Sequence, residues 1–374
     1  MKATRVDLKG LLPDQLRQLV AELGEKPYRA DQIYAWVHDK GVGDITSMTD
    51  LPARFRDELA AVARIGQLQV VARQDSRTGE AVKFLFEVSA GMRVEAVLIR
   101  EPERRTACLS SQVGCPLDCQ FCATGRMGFR RNLTTGQIMD QLRHLSAAAD
   151  ERGERVTNVV MMGMGEPLMN YDNVVPALRL MRLEGGPAVG GRRITVSTAG
   201  YLPGIRRLAE DDLNVGLAIS LNATTDETRS RLMPINRKYP IAELLRAADD
   251  YFRRRGRRVT FEYVLMEGVT DGEEDAGRLV ELTREVPCKI NLILYNELGS
   301  PAGQAAHGGQ AFRRPPQERI RRFLQVVRSR SPHNVTLRES RGRDIDAACG
   351  QLYQNLADRP PRPRSPDPGD ARAL

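Results

Sequence analysis

The stretch that says most about the fold is Cys115-Pro116-Leu117-Asp118-Cys119-Gln120-Phe121-Cys122. It places three cysteines within eight residues, in the spacing C-x3-C-x2-C, directly after the first strand of a predicted series of strands and helices. Three thiolates on a short loop can ligate three irons of a [4Fe–4S] cluster and leave the fourth iron open to an external ligand. Metal or redox chemistry at this loop is therefore the first expectation.

A structural zinc site with Cys108 as the fourth ligand is the alternative. Zinc sites usually combine two short-spaced cysteine pairs, and the sequence contains no second C-x2-C. Cys108 is also separated from the loop by part of a predicted strand. A disulfide framework is not expected in a large chain without a secretion signal. The remaining cysteine, Cys288, has no motif around it and is expected to be an inert core residue.

Length and composition predict a globular protein with two or three domains. The chain has 374 residues, of which 41% are hydrophobic and 28% are charged, and this balance excludes wholesale disorder. No stretch approaches the roughly 18 consecutive apolar residues of a membrane helix. The N-terminus also lacks the apolar segment of a signal peptide. We therefore expect a soluble, cytoplasmic protein.

Arginine is concentrated in two segments of this basic chain, whose net charge is +8. Residues 313–343 hold ten arginines against two acidic residues, and residues 253–258 hold five arginines in six positions. Guanidinium groups match phosphate oxygens, so each segment is a candidate RNA contact. A solvated helix face is an equally good interpretation of either segment. The charge therefore favours a polyanionic partner only weakly.

Hydrophobic periodicity predicts helices first, then a short antiparallel meander, and then a long alternation of strands and helices. The N-terminal helices are predicted over 13–23, 29–40 and 53–63, and the meander over 70–73, 81–88 and 93–99. The alternating strands are predicted over 106–111, 157–163, 193–198, 215–221, 258–266, 289–295 and 334–338. Six to seven strand–helix units imply a parallel sheet, either doubly wound or closed into a full or partial barrel.

Several motifs together resemble the radical SAM superfamily and, within it, the adenine-C methyltransferase family. Phe121 precedes the last cysteine of the loop, and the next strand ends in Met162-Gly163-Met164-Gly165-Glu166-Pro167, similar to the motif that lies against the methionine part of SAM. The stretches 108–115, 343–352 and 28–32 resemble the adenine-C methyltransferases themselves. The resemblance runs from about residue 10 to residue 356 and implies a [4Fe–4S] cluster on the three loop cysteines.

The resemblance implies three catalytic residues, Cys349, Cys108 and Glu95. Cys349 would take a methyl group from one SAM, and a radical made from a second SAM at the reduced cluster would activate that methyl group for addition to adenine. Cys108 would release the product through a transient disulfide with Cys349, and Glu95 would accept the ring proton. A radical route suits this substrate because carbon 2 of adenine is electron-poor and cannot attack SAM directly.

The resemblance also implies that SAM is held at the carboxyl ends of the strands. Without it, the serines would pass as turn formers and the glycines as parts of a tight turn. Asn222 stands where many relatives carry histidine, and the loop 299–312 is longer than usual. The implied SAM contacts are Gly165, Glu166, Ser197, Ser220, Leu221, Asn222 and Asn296.

The expected fold class is α/β, a partial (β/α)6 TIM-like radical SAM barrel with an N-terminal helical and small antiparallel-sheet module. We expect an N-terminal helical RNA-binding module over 1–65, a small sheet or linker over 66–100 and the barrel over 101–345. The segment 346–374 would form the catalytic-cysteine loop and a disordered tail.

The resemblance implies methylation of carbon 2 of an adenosine in the peptidyl-transferase centre of 23S rRNA and of the adenosine beside the anticodon in tRNAs. It implies two SAM molecules per turnover and an electron donor such as flavodoxin or ferredoxin, and we expect a monomer. The nearest alternative is a Cfr-type enzyme that methylates carbon 8 and confers antibiotic resistance. A non-catalytic RNA-binding protein with a structural metal is the alternative from another class.

Overall fold

The computed structural model describes residues 5–298 and 312–353, so the predicted tail and nearly all of the 299–312 loop lie outside the described residues. No helix in the described part of the chain is both long and apolar enough to cross a membrane. The helices are α1 Pro13–Glu22, α2 Tyr28–His38, α3 Ala53–Val62, α4 Ala123–Arg126, α5 Thr135–Asp150, α6 Tyr171–Arg182, α7 Leu202–Glu210, α8 Asp226–Leu232, α9 Ile241–Arg255, α10 Glu273–Thr283 and α11 Gln317–Arg330.

One large sheet organises the chain. The strands are β1 Val6–Asp7, β2 Ala63–Arg64, β3 Gln69–Asp75, β4 Ala81–Ser89, β5 Met92–Glu101, β6 Arg104–Cys108, β7 Gln112–Val113, β8 Arg131–Asn132, β9 Asn158–Met161, β10 Ile194–Thr198, β11 Gly216–Ser220, β12 Val259–Leu265, β13 Cys288–Leu294 and β14 Asn334–Arg338. Ten of them form a sheet in the order β14-β13-β12-β11-β10-β9-β6-β5-β4-β3. From β6 to β14 all neighbours are parallel.

The parallel part of the sheet is the predicted partial barrel. Helices connect its successive strands, as parallel neighbours require, and no pairing between the first and last strands closes it within the described residues. Its strands are apolar and covered on both sides; in β11, for example, the central residues Leu217, Ala218 and Ile219 are buried. The carboxyl ends of these strands meet at one edge, where the site lies.

The antiparallel meander does not form a separate sheet. Strand β5 pairs with β6 in antiparallel register, with Val97 opposite Cys108, so the meander extends the barrel sheet directly. Glu95 therefore lies within β5, two residues from the partner of Cys108. If β5 shifted by one residue against β6, the side chains of β5, including Glu95, would turn to the other face of the sheet.

The N-terminal helices are fixed to the barrel by a buried ion pair. The Lys9 ammonium contacts the Asp140 carboxylate of α5, and both side chains are almost inaccessible to solvent. Asp140 also accepts a hydrogen bond from Leu68 N, and Lys9 donates to the carbonyl of Gly66. Since an unpaired buried charge is costly, the pair holds the start of the chain and the 66–68 connection against α5.

Candidate functional site

A cavity of about 170 Å³, partly open to solvent, lies at the carboxyl ends of the parallel strands. Three parts of the chain line it: the cysteine loop 115–122, the ends of β9, β10, β11 and β12 with the turns that follow, and the segment 346–353 that carries Cys349. The predicted site residues on its wall are Cys115, Cys119, Cys122, Gly165, Glu166, Ser197, Ser220, Asn222 and Cys349.

Short-range backbone bonds shape the cysteine loop. Cys122 N donates to the carbonyl of Cys119, which folds the end of the loop into a turn. Cys115 N donates to the carbonyl of Gly128, beyond α4. Gly125 lies so close to the Cys119 backbone that a Cβ there would be 2.9 Å from Cys119 N. The loop conformation thus depends mainly on residues close in sequence.

The three thiols of the loop suit a group that accepts thiolates. Burial raises the pKa of Cys115 to about 12 and also raises the pKa values of Cys119 and Cys122, and ionised Cys122 raises the pKa of Cys115 and Cys119 further. The described residues contain no His, Cys, Asp and Glu group converging on a single metal ion. Cluster cysteines each bind a different iron and need not converge in this way. The residues present fit a [4Fe–4S] cluster.

Two glycines allow the turn after β9 to lie against the strand beside it. A Cβ on Gly163 would be 2.7 Å from the carbonyl oxygen of Leu109. Gly165 has a φ of +97°, and a Cβ there would be 2.5 Å from Gln112 Cβ. Only glycine fits these positions without displacing backbone. The glycine motif is therefore required by the backbone path and also lines the cavity.

Glu166 joins the ends of two strands on the cavity wall. Its carboxylate accepts hydrogen bonds from Ala199 N at 2.8 Å and from Leu168 N at 3.2 Å. Burial raises the pKa of Glu166 to about 7, although these hydrogen bonds favour the ionised form. The carboxyl group can therefore change its charge near neutral pH.

The other implied SAM contacts divide into two groups. Ser197, Ser220 and Asn222 line the cavity, and the Asn222 side chain also accepts a hydrogen bond from Val264 N at 3.0 Å. Leu221 is fully buried behind the wall. Asn296 also lies outside the cavity wall, where its amide donates to the carbonyl of Cys349 at 3.1 Å and to Ser340 Oγ at 2.9 Å. The structure thus places Asn296 as a support for Cys349.

Arg229 of α8 is a fully buried cation that the sequence analysis did not identify. Its guanidinium donates to the carbonyls of Ala199, Ser220 and Leu221, at the ends of β10 and β11, and to the Asn236 amide oxygen. All four acceptors are neutral. Burial lowers the pKa of Arg229 to about 10, and ionised Cys119 would raise it. Because a buried cation favours a nearby anion, Arg229 adds to the fit of a thiolate-bound cluster.

Six hydrogen bonds hold the segment 346–353, which brings Cys349 to the cavity. Cys349 is exposed inside the cavity, and the next residue, Gly350, is bonded to Ala123 directly after the cysteine loop. The contacts come from β4, β5, α4 and the stretch after β13. They are Lys83 to Asp346 O, Asn296 to Cys349 O, Ala123 N to Gly350 O, Gln351 to Glu297 O, Thr124 to Leu352 O and Tyr353 N to Glu95.

Cys108 and Cys349 belong to one electrostatic group with Arg338 and Glu262. Burial raises the pKa of Cys108 to about 12, and ionised Cys349 raises it further. Loss of contact with bulk water raises the pKa of Cys349 as well, whereas Arg338 lowers the pKa of both thiols. Arg338 comes from the arginine-rich stretch 313–343, is only partly exposed and interacts electrostatically with both cysteines.

Glu95 is buried and paired with Lys83. The distance from Lys83 Nζ to Glu95 Oε1 is 3.1 Å, and the second carboxylate oxygen accepts a hydrogen bond from Tyr353 N at 2.9 Å. Ser110 Oγ donates to the Glu95 carbonyl at 2.6 Å. Glu95 thus lies next to the Cys349 segment, while its side chain is behind the cavity wall.

Two regions of the chain match known protein families. Residues 109–280 match the Radical SAM superfamily, and residues 6–65 match the ribosomal RNA large subunit methyltransferase N-terminal domain. The dual-specificity RNA methyltransferase RlmN of Anaeromyxobacter sp. strain Fw109-5 is 45% identical over 369 residues, 97% of this chain and 95% of that protein. The chain belongs to the RlmN family.

Two further proteins support this membership. The RlmN of Geobacter sulfurreducens is 46% identical over 353 residues, 94% of this chain and 93% of that protein. The crystal structure of a radical SAM methyltransferase from Sphaerobacter thermophilus superimposes with a TM-score of 0.87 at 44% identity, covering 93% of this chain and 99% of that one. As a radical SAM protein of the RlmN family, the chain uses a [4Fe–4S] cluster and SAM.

Four charged residues at the site were not predicted from the sequence. Lys83, Arg229, Glu262 and Arg338 all contact or shift predicted site residues, but no motif marked them. The acidic first turn of α8 and the N-cap at Thr225 would have signalled that helix and directed attention to Arg229. The other three are isolated charged residues in strands, whose partners depend on sheet register.

Proposed function

We propose that the chain methylates carbon 2 of an adenosine in 23S rRNA and of the adenosine beside the anticodon in tRNAs. One observation carries the proposal: the thiol of Cys349 faces the same cavity as the three loop cysteines, so a methyl carrier and a radical source would share one chamber. The RlmN relatives favour carbon 2 over the carbon-8 chemistry of the Cfr type.

Different residues on the cavity wall would bind the cluster and SAM. Cys115, Cys119 and Cys122 would hold the cluster, and the turn at Gly165 and Glu166 would bind the methionine part of SAM together with Ser197, Ser220 and Asn222. When bound, the cluster and SAM supply the radical chemistry that activates an S-methyl group. Arg229 stabilises the strand ends behind these contacts through its bonds to backbone carbonyls.

Cys349 would act as the methyl carrier and Cys108 as its resolving partner. A thiolate is an adequate nucleophile for the methyl group of SAM, and although burial raises the pKa of Cys349, the Arg338 cation opposes that rise and favours the thiolate. Cys108 is buried at the end of β6 and interacts electrostatically with Cys349. After methyl transfer to adenine, a disulfide between these two sulfurs would free the product from Cys349.

Glu95 would accept the proton that leaves the adenine ring. Its carboxylate lies next to the segment of Cys349, and Tyr353 N occupies one of its oxygens. Tyr353 must therefore move off that oxygen before an adenine can approach it, while Lys83 still holds the segment at Asp346. The base itself would have to leave its stack to reach the cavity, since a stacked or paired adenine does not expose carbon 2 to an enclosed site.

The N-terminal region and exposed arginines are proposed to contact RNA. The last turn of α9 carries Arg253, Arg254 and Arg255, although Arg253 pairs with Asp249 and Arg255 pairs with Asp212. These arginines also suit the carboxyl end of a helix. The helical residues 6–65 match the N-terminal domain of ribosomal RNA methyltransferases. We further propose a cytoplasmic monomer that receives electrons from a flavodoxin or ferredoxin.

The test is a methylation assay with anaerobically reconstituted enzyme, SAM carrying a labelled methyl group, a reductant, and unmodified 23S rRNA fragment or tRNA. Chromatography with mass spectrometry separates 2-methyladenosine from 8-methyladenosine after digestion. We expect labelled 2-methyladenosine from both RNAs. An 8-methyladenosine product would assign the chain to Cfr-type chemistry, and no methyladenosine from enzyme with an intact cluster chromophore would refute the proposed activity.

A further inference from the structure

A buried ion pair on the antiparallel strands contacts the cysteine-bearing segment. Lys83 of β4 and Glu95 of β5 are diagonal neighbours on one face of the ladder, because Lys83 lies opposite Val97 and Leu85 lies opposite Glu95. Their side chains are 2% and 1% exposed. Each member of such a pair depends on the other, since removing one partner leaves a buried charge without compensation.

Both members of the pair also bond the segment 346–353. Lys83 Nζ donates to the carbonyl of Asp346 at 3.2 Å, and Tyr353 N donates to Glu95 Oε2 at 2.9 Å. One contact lies three residues before Cys349 and the other four residues after it. The single ion pair therefore holds both ends of the segment.

We propose that Lys83 is a positioning residue for the reaction: with ionised Glu95 it fixes the segment 346–353, and protonation of Glu95 loosens that segment. The inference rests on the proposed roles of Cys349 and Glu95. When Glu95 accepts the ring proton, its carboxylate becomes a neutral carboxyl group and its attraction for Lys83 falls. The segment is thus held while Cys349 must face the cavity and is freed when the product has to leave.

The tether is tested by hydrogen exchange with mass spectrometry on anaerobically reconstituted enzyme. Lys83→Met and Glu95→Gln, the latter a mimic of the protonated acid, should each raise amide exchange in the peptide covering 346–353 by about tenfold. Lys9→Met is the matched control, because it breaks an equally buried lysine–carboxylate pair. Lys9→Met should raise amide exchange in residues 66–68 and leave exchange in 346–353 unchanged. Lys83→Met should raise exchange in 346–353 and leave residues 66–68 unchanged.

The positioning role is tested separately by following methylation of Cys349 in the intact protein by mass spectrometry. Lys83→Met should lower the rate of methyl transfer from SAM to Cys349 by about tenfold, with SAM affinity and cluster absorbance unchanged. Lys83→Arg, which retains the cation, should recover most of that rate. A purely structural defect would change affinity or absorbance as well.

The outcomes separate this inference from the proposed function. Exchange in 346–353 that stays at the wild-type rate in both Lys83→Met and Glu95→Gln overturns the tether. Normal methylation of Cys349 in a loosened Lys83→Met protein overturns the positioning role. If wild-type enzyme methylates Cys349 but no adenosine, the proposed RNA chemistry fails while the role of Lys83 stands.

Discussion

The cysteine loop 115–122 and the segment 346–353 line the same cavity but are held in different ways. Backbone bonds to nearby residues shape the loop, such as Cys122 N to Cys119 O and Cys115 N to Gly128 O. The segment is held from parts of the chain more than 200 residues away in sequence, through Thr124, Lys83 and Glu95. The loop is held mostly by bonds close in sequence, with one distant bond from Gln120 N to the carbonyl of Leu232, whereas the place of Cys349 depends on the whole fold.

This difference suits two different tasks. A cluster needs ligands at fixed positions, and a short loop with internal hydrogen bonds supplies them. In its proposed role as methyl carrier, Cys349 would visit SAM, the substrate and Cys108 in turn. A segment held by a few side-chain contacts can give them up and form them again, because each contributes only modestly to stability.

The largest expected effect separates the two regions completely. Cys119→Ala should remove the cluster chromophore and abolish both SAM cleavage and RNA methylation. Cys349→Ala should abolish RNA methylation as well but keep the chromophore and the reductive cleavage of SAM. The two variants are distinguished by the absorbance of the iron–sulfur cluster and by chromatography of 5′-deoxyadenosine, the product of SAM cleavage. Loss of the chromophore in Cys349→Ala would show that the segment is part of the cluster site itself.

A smaller effect is expected from Gly165→Ala. This variant tests whether the turn that lines the cavity requires glycine at this position. The added Cβ would meet Gln112 at a φ that side-chain-bearing residues avoid, so we expect a loss of about 3–5 kcal/mol of unfolding free energy. Gly190→Ala is the control, because nothing lies within 4 Å of its added Cβ. Equal denaturant midpoints for the two variants would contradict the assigned geometry.

The smallest effect concerns pH. The raised pKa of Glu166, about 7, means that the folded protein keeps a proton that the unfolded chain has lost above its ordinary pKa of 4.5. Folding stability from this group therefore falls as the pH rises from 4.5 to about 7 and is constant beyond it. The expected change is at most about 3 kcal/mol.

Thermal unfolding of the wild type and Glu166→Gln between pH 5 and pH 8 checks this sign. The Gln variant should lose the decline in stability that the wild type shows below neutral pH. Glu151→Gln serves as the comparison, because the Arg73 guanidinium lowers the pKa of that carboxylate and its effect has the opposite sign. A steeper decline in Glu166→Gln than in the wild type would contradict the prediction.

Periodicity predicted a parallel sheet of strand–helix units, because its strands and helices have strong, separate periodicities, and the family resemblance selected the partial barrel. Strands β10 to β14 appear within a few residues of their predicted bounds. The spacing of the three cysteines likewise predicted a cluster-binding loop, because all three lie within eight residues. Short helices such as α8 were missed because a seven-residue helix carries too little periodic signal.

Contacts between distant strands were not predictable in the same way. The pairing of β5 with β6 depends on the register of the whole sheet, so sequence reasoning could not show that Glu95 lies on the strand beside Cys108. Lys83 looked like an ordinary charged strand residue until its partners were known. Arg338 was counted with surface arginines because composition cannot show which side of a strand a guanidinium occupies.

The continuity of the large sheet also limits how enzymes of this kind can be recombined. A chimaera joined between residues 75 and 104 would take β3, β4 or β5 from one parent and β6 from another, within a single hydrogen-bonded ladder. A junction at 65–68, before β3, keeps that ladder intact. It still divides the Lys9–Asp140 pair between the parents, so both charges must be retained for the grafted helices to dock.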